Sequence, residues 1–272
     1  MKPIILATDF SPIALNAAKY AVKIAETIGA DILLFNVYEV LPNYGEMVID
    51  INVDDLKKSA ETQLLNFKSD LIQQSNFGFN ITTEIRLGVF NDELMSICER
   101  LNPYAVIMGS QGKTAAEHFL MGSHAGKTIN HFAWPIITVP STFTFSGIKK
   151  IGIAYDFEEV IKEELIADIK LIAKDFNASI DILNAVHEEE FNEKFTLLAG
   201  QLENAFSPFV IKYHFLTSLQ TEEAILKFVE TNNVDLLIVM PKHYNMFQRL
   251  FQKSHSKQLV LHCHVSVMSL TK

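Results

Sequence analysis

The stretch "IILATDFSPIALNAAKYAVKIAETIGADILLFNV" (residues 4–37) has the pattern of a strand, a helix and a second strand. Its two ends are apolar, β-rich runs, whereas alanine and isoleucine recur along one helical stripe of the middle part. Ser11 and Pro12 suit the start of that helix, and Gly29 suits its end. Nearly continuous apolar strands are typical of a parallel sheet that helices cover on both faces. We therefore predict an α/β fold.

The alternation of strands and helices continues to residue 140. We predict, in chain order, a helix near 53–75, a strand at 81–87, a helix near 91–101, a strand at 104–109, a helix near 122–132 and a strand at 135–140. Residues 41–55 form an insertion after the second strand. A surface loop and a lid over a bound ligand both stay open for this insertion.

The chain repeats itself. Four segments of the first half resemble four of the second in the same order: 4–10 and 151–157, 33–39 and 182–188, 104–108 and 236–240, and 123–139 and 254–270. The offset between copies changes from 147 to 149, then to 132 and 131. The drop from 149 to 132 predicts about 17 extra residues in the first copy. The drop from 132 to 131 predicts that the second copy has lost one residue between its fourth strand and last helix. We predict two doubly wound α/β domains, residues 1–143 and 147–272.

Composition narrows the function classes. The 272 residues carry a net charge of −9 and are 49% hydrophobic, so we expect neither a nucleic-acid partner nor a disordered chain. Two cysteines are too few for a disulfide framework. No apolar run reaches the length of a transmembrane helix, and no signal-peptide pattern is visible. We expect a cytoplasmic protein without a membrane partner.

Two Gly-Lys-Thr tripeptides, at 112–114 and 126–128, suggest phosphate binding. A P-loop would need a further glycine at residue 107 or 121, where the chain has Ile107 and Met121. A different glycine pattern remains, with Gly109 after a strand, Gly112 in the next loop and Gly122 before a helix. Such positions let backbone N–H groups approach an anion. Two turns and a helix cap are the alternative interpretation.

The segment "IMGSQGKTAAEHFLMGSHAGKTINHFAWPIITVP" (107–140) resembles the nucleotide-binding segment of the universal stress protein family. The family signature is Gly, two residues, Gly, nine residues, Gly-Ser/Thr, and this chain fits it without a gap. The segment 5–25 resembles the first strand and helix of the family. The resemblance covers both halves and implies a tandem form, with two parallel five-stranded sheets in the order 3-2-1-4-5. This is the adenine nucleotide alpha-hydrolase-like fold, and the implied ligand is ATP, or ADP or AMP.

The resemblance also implies site residues. Ala7, Thr8 and Asp9 would line the adenine and ribose, and Val37 would meet the adenine through its backbone. The remaining positions are Met108 and Gly109 under the ribose, Gln111 and Gly112 near the phosphates, and Gly122, Ser123, His124 and Ala125 at the helix start. Mg²⁺ held with the phosphates beside Thr8 and Asp9 stays open.

We predict no catalytic residue and no separate metal site. The histidine-rich tail His255, His262, Cys263 and His264 fits no zinc spacing. Three functions stay open: a nucleotide-dependent stress-response regulator with at most slow ATP hydrolysis, an interaction scaffold of the same fold that binds no nucleotide, and an adenylating enzyme. The adenylating enzyme would need further substrate-binding domains.

The second copy departs from the signature, because Pro241, Tyr244 and Lys253 align with its glycines. Proline has no N–H and tyrosine adds bulk, so we predict that this copy does not bind ATP in the manner of the family. The family dimerises through its last strands. Here strands 135–140 and 265–270 would pair antiparallel within one chain as a pseudo-dimer, and a further homodimer stays open.

Overall fold

The computed structural model describes residues 2–38, 53–73, 78–110, 132–155, 160–184, 193–216, 221–240 and 264–270. Most of the insertion and the predicted helix near 122–132 lie outside these residues. By its contacts the chain divides into two compact units, Met1–Trp134 and Pro135–Lys272. This division assigns the strand predicted at 135–140 to the second unit, and the domain limits 1–143 and 147–272 stay a prediction.

The first unit is a parallel sheet with helices between its strands. Its strands run in the spatial order β3-β2-β1-β4, which agrees with the predicted order for these four. The elements are β1 (Ile4–Ala7), α1 (Pro12–Ile28), β2 (Ile32–Tyr38), α2 (Val53–Gln73), β3 (Ile81–Leu87), α3 (Phe90–Leu101) and β4 (Ala105–Gly109).

Helix α1 begins and ends where the sequence predicts. Ser11 is the N-cap, and its Oγ accepts a hydrogen bond of 3.2 Å from the backbone N–H of Ala14. Gly29 adopts a left-handed backbone with φ 69° and donates to the carbonyl of Ala25. Small alanines fill the buried stripe of α1, so the helix backbone can lie close to the sheet.

Charged side chains attach helix α3 to the edge strand β3. The Glu84 carboxylate binds both Arg86, at 2.6 Å, and Arg100 of α3. Burial raises the pKa of the Glu84 carboxyl, but the hydrogen bonds and charges of Arg100 and Arg86 outweigh it, and the pKa lies below its ordinary value. The ionised Glu84 carboxylate therefore stabilises the fold at neutral pH, and this stabilisation is lost as the pH falls through the folded-state pKa of Glu84.

The second unit repeats the fold. Its sheet runs in the order β5-β10-β9-β6-β7-β8, with β5 antiparallel to β10 and the other described pairs parallel. Read from β8 to β10, the second copy has the predicted order 3-2-1-4-5. The elements are β5 (Ile136–Val139), β6 (Lys150–Ala154), α4 (Glu163–Phe176), β7 (Ser179–Asn184), α5 (Glu193–Phe206), β8 (Ile211–Phe215), α6 (Thr221–Thr231), β9 (Leu236–Val239) and β10 (Ser266–Ser269).

The predicted antiparallel pairing of the last strands is present, with Ile137 opposite Met268. None of the helices in the described part of the chain is both long and apolar enough to cross a membrane.

The strand register corrects two of the predicted offsets between the copies. Ile4 pairs with Ile32, and Ile151 pairs with Ile180, so the second strands differ by 148 residues rather than 149. Ile4 also pairs with Ala105, and Ile151 with Leu236, so the fourth strands differ by 131 rather than 132. The predicted loss of one residue after the fourth strand is therefore wrong. Aligning the copies by their apolar residues alone displaces the second and the fourth strand by one position each.

We expect Ser11→Ala to lower the free energy of unfolding by about 1 kcal/mol, because the backbone N–H of Ala14 at the start of α1 then lacks its side-chain partner. Ser69→Ala is the matched control, since Ser69 lies inside α2, where its hydroxyl donates to the carbonyl of Leu65 and caps no helix start. Urea unfolding of both variants checks this prediction. Equal midpoints for the two would contradict the capping role of Ser11.

Candidate functional site

The carboxyl ends of three neighbouring strands form the candidate site. Strand β1 lies between β2 and β4, so the strand order reverses beside it. Ala7 pairs with Phe35 of β2, and Leu6 pairs with Ile107 of β4. Ligands of open α/β sheets bind at such a point of reversal, beyond the carboxyl ends of the strands. The structure thus brings together the predicted residues at the ends of β1, β2 and β4.

Side chains fix the turn between β1 and α1. The Thr8 hydroxyl accepts from the N–H of Phe10, and Asp9 Oδ1 accepts from the N–H of Ser11, each at 3.0 Å. Phe10 has a φ of 63°, which is uncommon for a residue other than glycine. Its ring packs edge-on against Phe67 of α2, with the ring centroids 6.1 Å apart. The turn therefore holds Asp9 at the end of β1 in a conformation that its neighbours stabilise.

A buried amide joins the ends of β1 and β2. Asn36 Nδ2 donates a hydrogen bond of 2.8 Å to the carbonyl of Thr8. In the second unit, Asn184 Nδ2 donates in the same way to the carbonyl of Tyr155, at 2.7 Å. The sequence pattern does not reveal either residue, because the offset of 149 pairs Asn184 with Phe35. An offset of 148 would have aligned the two amides.

Gly109 is required by a close approach of backbone to backbone. A Cβ atom at residue 109 would lie 2.7 Å from Cγ2 of Ile13 and 3.3 Å from its carbonyl carbon. It would also lie 3.4 Å from the backbone nitrogen of Ala14. Only glycine allows the start of α1 to lie this close to the end of β4. Gly109 therefore has a structural role in addition to the predicted one.

The predicted residues at the carboxyl ends of β1, β2 and β4 differ in their burial. Ala7, Thr8, Met108 and Gly109 are buried, whereas Asp9 and Val37 are partly exposed. Ser110 follows Gly109 and is buried, and among the described residues its hydroxyl has no hydrogen-bond partner. The sequence analysis did not select Ser110.

The remaining predicted residues cannot be placed in the same way. Gln111, Gly112, Gly122, Ser123, His124 and Ala125 lie outside the described residues. Within the described ranges, no group of three or more His, Cys, Asp or Glu side chains is arranged to hold a metal ion.

The model of the universal stress protein family matches residues 1–140 and again residues 147–270. The chain belongs to the universal stress protein family. The two matches cover most of the chain and correspond to the two copies found in the sequence.

Individual relatives agree with this membership. The chain is 30% identical over 141 residues to the universal stress protein MJ0531 of Methanocaldococcus jannaschii, which covers 51% of the chain and 81% of that protein. It is 28% identical over 153 residues to MJ0577 of the same organism, covering 51% and 94%. The crystal structure of a universal stress protein from Archaeoglobus fulgidus superposes with a TM-score of 0.71 at 17% identity, covering 100% of the chain and 96% of that structure.

The second unit of this universal stress protein differs from the first at the carboxyl ends of its strands. The register places Met240 at the position of Gly109, so the signature positions shift by one and the middle glycine aligns with His243 instead of Tyr244. Helix α4 begins at Glu163, nine residues after β6 ends, whereas α1 begins five residues after β1 ends. All three glycines of the signature are still replaced, by Met240, His243 and Lys253.

We expect Gly109→Ala to lower the free energy of unfolding by about 1–3 kcal/mol, because the added Cβ forces the start of α1 away from β4. Gly200→Ala is the matched control. A Cβ at residue 200, inside α5, would meet nothing within 4 Å, and alanine there favours the helix by about 0.5–1 kcal/mol. Thermal unfolding compares the two. A Gly109→Ala variant with the thermal stability of the wild type would contradict the close approach of α1 to the end of β4.

Proposed function

We propose that the first unit binds one adenine nucleotide and that binding makes the protein a nucleotide-dependent regulator in the stress response. The single observation that carries this proposal is the complete glycine signature, which starts at Gly109 beside the end of β1. Membership of the universal stress protein family supports it.

Each part of the nucleotide has a partner in this proposal. The backbone at the end of β2, near Val37, meets the adenine. Asp9 binds Ser11 through Oδ1 and is only partly buried, so its Oδ2 is available to accept from a ribose hydroxyl. Backbone N–H groups around Gly112 and Gly122, with the Ser123 hydroxyl, bind the phosphates, and Mg²⁺ can accompany them. The nucleotide is ATP, ADP or AMP.

The second unit does not bind a nucleotide in this way. It keeps the amide between its first two strands, yet it lacks all three glycines of the signature. Bulky residues at those positions block the approach of a phosphate to the backbone. One chain therefore holds one working site, and the second unit has a structural or partner-binding role.

We expect Gly122→Val to weaken ATP binding by at least roughly 100-fold, or about 2.7 kcal/mol, because a branched side chain then stands between the backbone and the phosphates. Lys253→Val, at the matching position of the second unit, is the control and leaves the affinity unchanged. Isothermal titration of the full chain with ATP measures both.

Equal losses in Gly122→Val and Lys253→Val would overturn the assignment of the site to the first unit. A wild-type protein that binds no ATP, ADP or AMP at millimolar concentration would overturn nucleotide binding itself and leave the scaffold function.

A further inference from the structure

The carboxamide of Asn36 is buried between the ends of strands β1 and β2. Asn36 is 6% exposed, and its Nδ2 atom donates a hydrogen bond of 2.8 Å to the carbonyl of Thr8. Only the nitrogen of an asparagine carboxamide can donate to a carbonyl, so this bond fixes which way the carboxamide is turned. The side chain is therefore held in one orientation, directed at the residue that follows β1.

The hydrogen bond of Asn36 acts on the peptide group that precedes Asp9. The carbonyl of Thr8 and the N–H of Asp9 belong to one planar peptide unit, so a bond that holds the carbonyl also holds the start of Asp9. Strand β1 ends at Ala7, and the N–H of Thr8 still donates to the carbonyl of Phe35 at 2.9 Å. Asn36 thus extends the attachment of β1 to β2 by one carbonyl, up to Asp9 itself.

The other side-chain hydrogen bonds of this turn are local. Asp9 Oδ1 accepts from the N–H of Ser11, and the Thr8 hydroxyl accepts from the N–H of Phe10, each across two residues of the chain. These bonds shape the turn but do not attach it to β2. The amide of Asn36 lies 28 residues away from Thr8 in the chain, so its bond holds the turn relative to the neighbouring strand.

We propose that Asn36 is a positioning residue of the nucleotide site, which fixes the distance between the ribose contact of Asp9 and the base contact of Val37. This inference rests on the proposed function, which assigns those two contacts. Asn36 holds the peptide before Asp9 through its side chain and directly precedes Val37 in the chain, so one residue links both contacts. Contacts that are held in place before the ligand arrives cost less to order on binding, which raises the affinity.

The second unit carries the same hydrogen bond without an assigned nucleotide site. Asn184 Nδ2 donates to the carbonyl of Tyr155 at 2.7 Å, and the N–H of Tyr155 donates to the carbonyl of Leu183 at 3.0 Å. Loss of this bond therefore affects the fold but no nucleotide contact. A structural role alone would make the two amides equivalent in every measurement, whereas a positioning role separates them in nucleotide binding.

The test compares ATP with 2′-deoxy-ATP and 3′-deoxy-ATP, each of which lacks one ribose hydroxyl. Isothermal titration of the full wild-type chain gives three dissociation constants. We expect ATP to bind roughly 10-fold more tightly than the analogue without the hydroxyl that Asp9 binds. Asn36→Leu keeps the approximate size of the side chain and removes the donor. We expect this variant to bind ATP roughly 10-fold more weakly and to lose the preference over that analogue, because Asp9 is no longer held at the ribose.

Asn184→Leu is the matched control and leaves all three dissociation constants unchanged. Urea unfolding of both variants establishes that each is folded before the titration. A double-mutant cycle with Asp9→Ala shows whether Asn36 acts through Asp9. In the Asp9→Ala background, we expect Asn36→Leu to change the binding of ATP and of both analogues by one common factor, since the ribose contact is already absent.

Asn36→Ala removes the same donor without adding an apolar side chain, and it replaces Asn36→Leu in the test if that variant does not fold. A preference for ATP that survives in a folded Asn36 variant would overturn the positioning role alone, as would a wild type that binds ATP and both analogues equally. Equal effects of Asn36→Leu and Asn184→Leu on ATP affinity would also overturn it. Absence of binding of ATP and both analogues to wild type would overturn the proposed function as well.

Discussion

The close approach of helix α1 to the end of strand β4 is the constraint on which the first unit depends. A Cβ atom at residue 109 would lie 2.7 Å from Cγ2 of Ile13 and 3.3–3.4 Å from the backbone of Ile13 and Ala14, so only glycine fits here without a shift. The short turn between β1 and α1 follows from this approach, since the helix begins five residues after the strand ends. Thr8, Asp9 and Ser11 then supply the hydrogen bonds that hold this turn.

The second unit shows what happens when this constraint is absent. Met240 stands at the position of Gly109, and helix α4 begins nine residues after β6 ends. The amide between the first two strands is nevertheless kept, as Asn184 bound to Tyr155. The amide is thus shared by both units, whereas the glycines of the signature, including the one that allows the close approach of α1, are present in the first unit alone. One copy of the repeat can lose the glycines and keep the amide, because the glycines and the amide stabilise different contacts.

The sequence predicted the elements well and their side-chain contacts poorly. The boundaries of α1 were readable because Ser11, Pro12 and Gly29 act locally, through hydrogen bonds and backbone angles within the helix termini. Asn36 was missed because its partner Thr8 is 28 residues away, and one amide in an apolar strand carries no periodic signal. Gly109 was selected as part of the glycine signature, under the ribose, and its contact with Ile13 depends on packing that no local pattern contains.

Native mass spectrometry of the full chain with excess ATP measures how many nucleotides each chain binds. With a site in the first unit alone, we expect a single added mass of one adenine nucleotide per chain, which does not increase at higher ATP concentration. Two nucleotides per chain would contradict the loss of function in the second unit, and a chain that stays unliganded would contradict the site in the first.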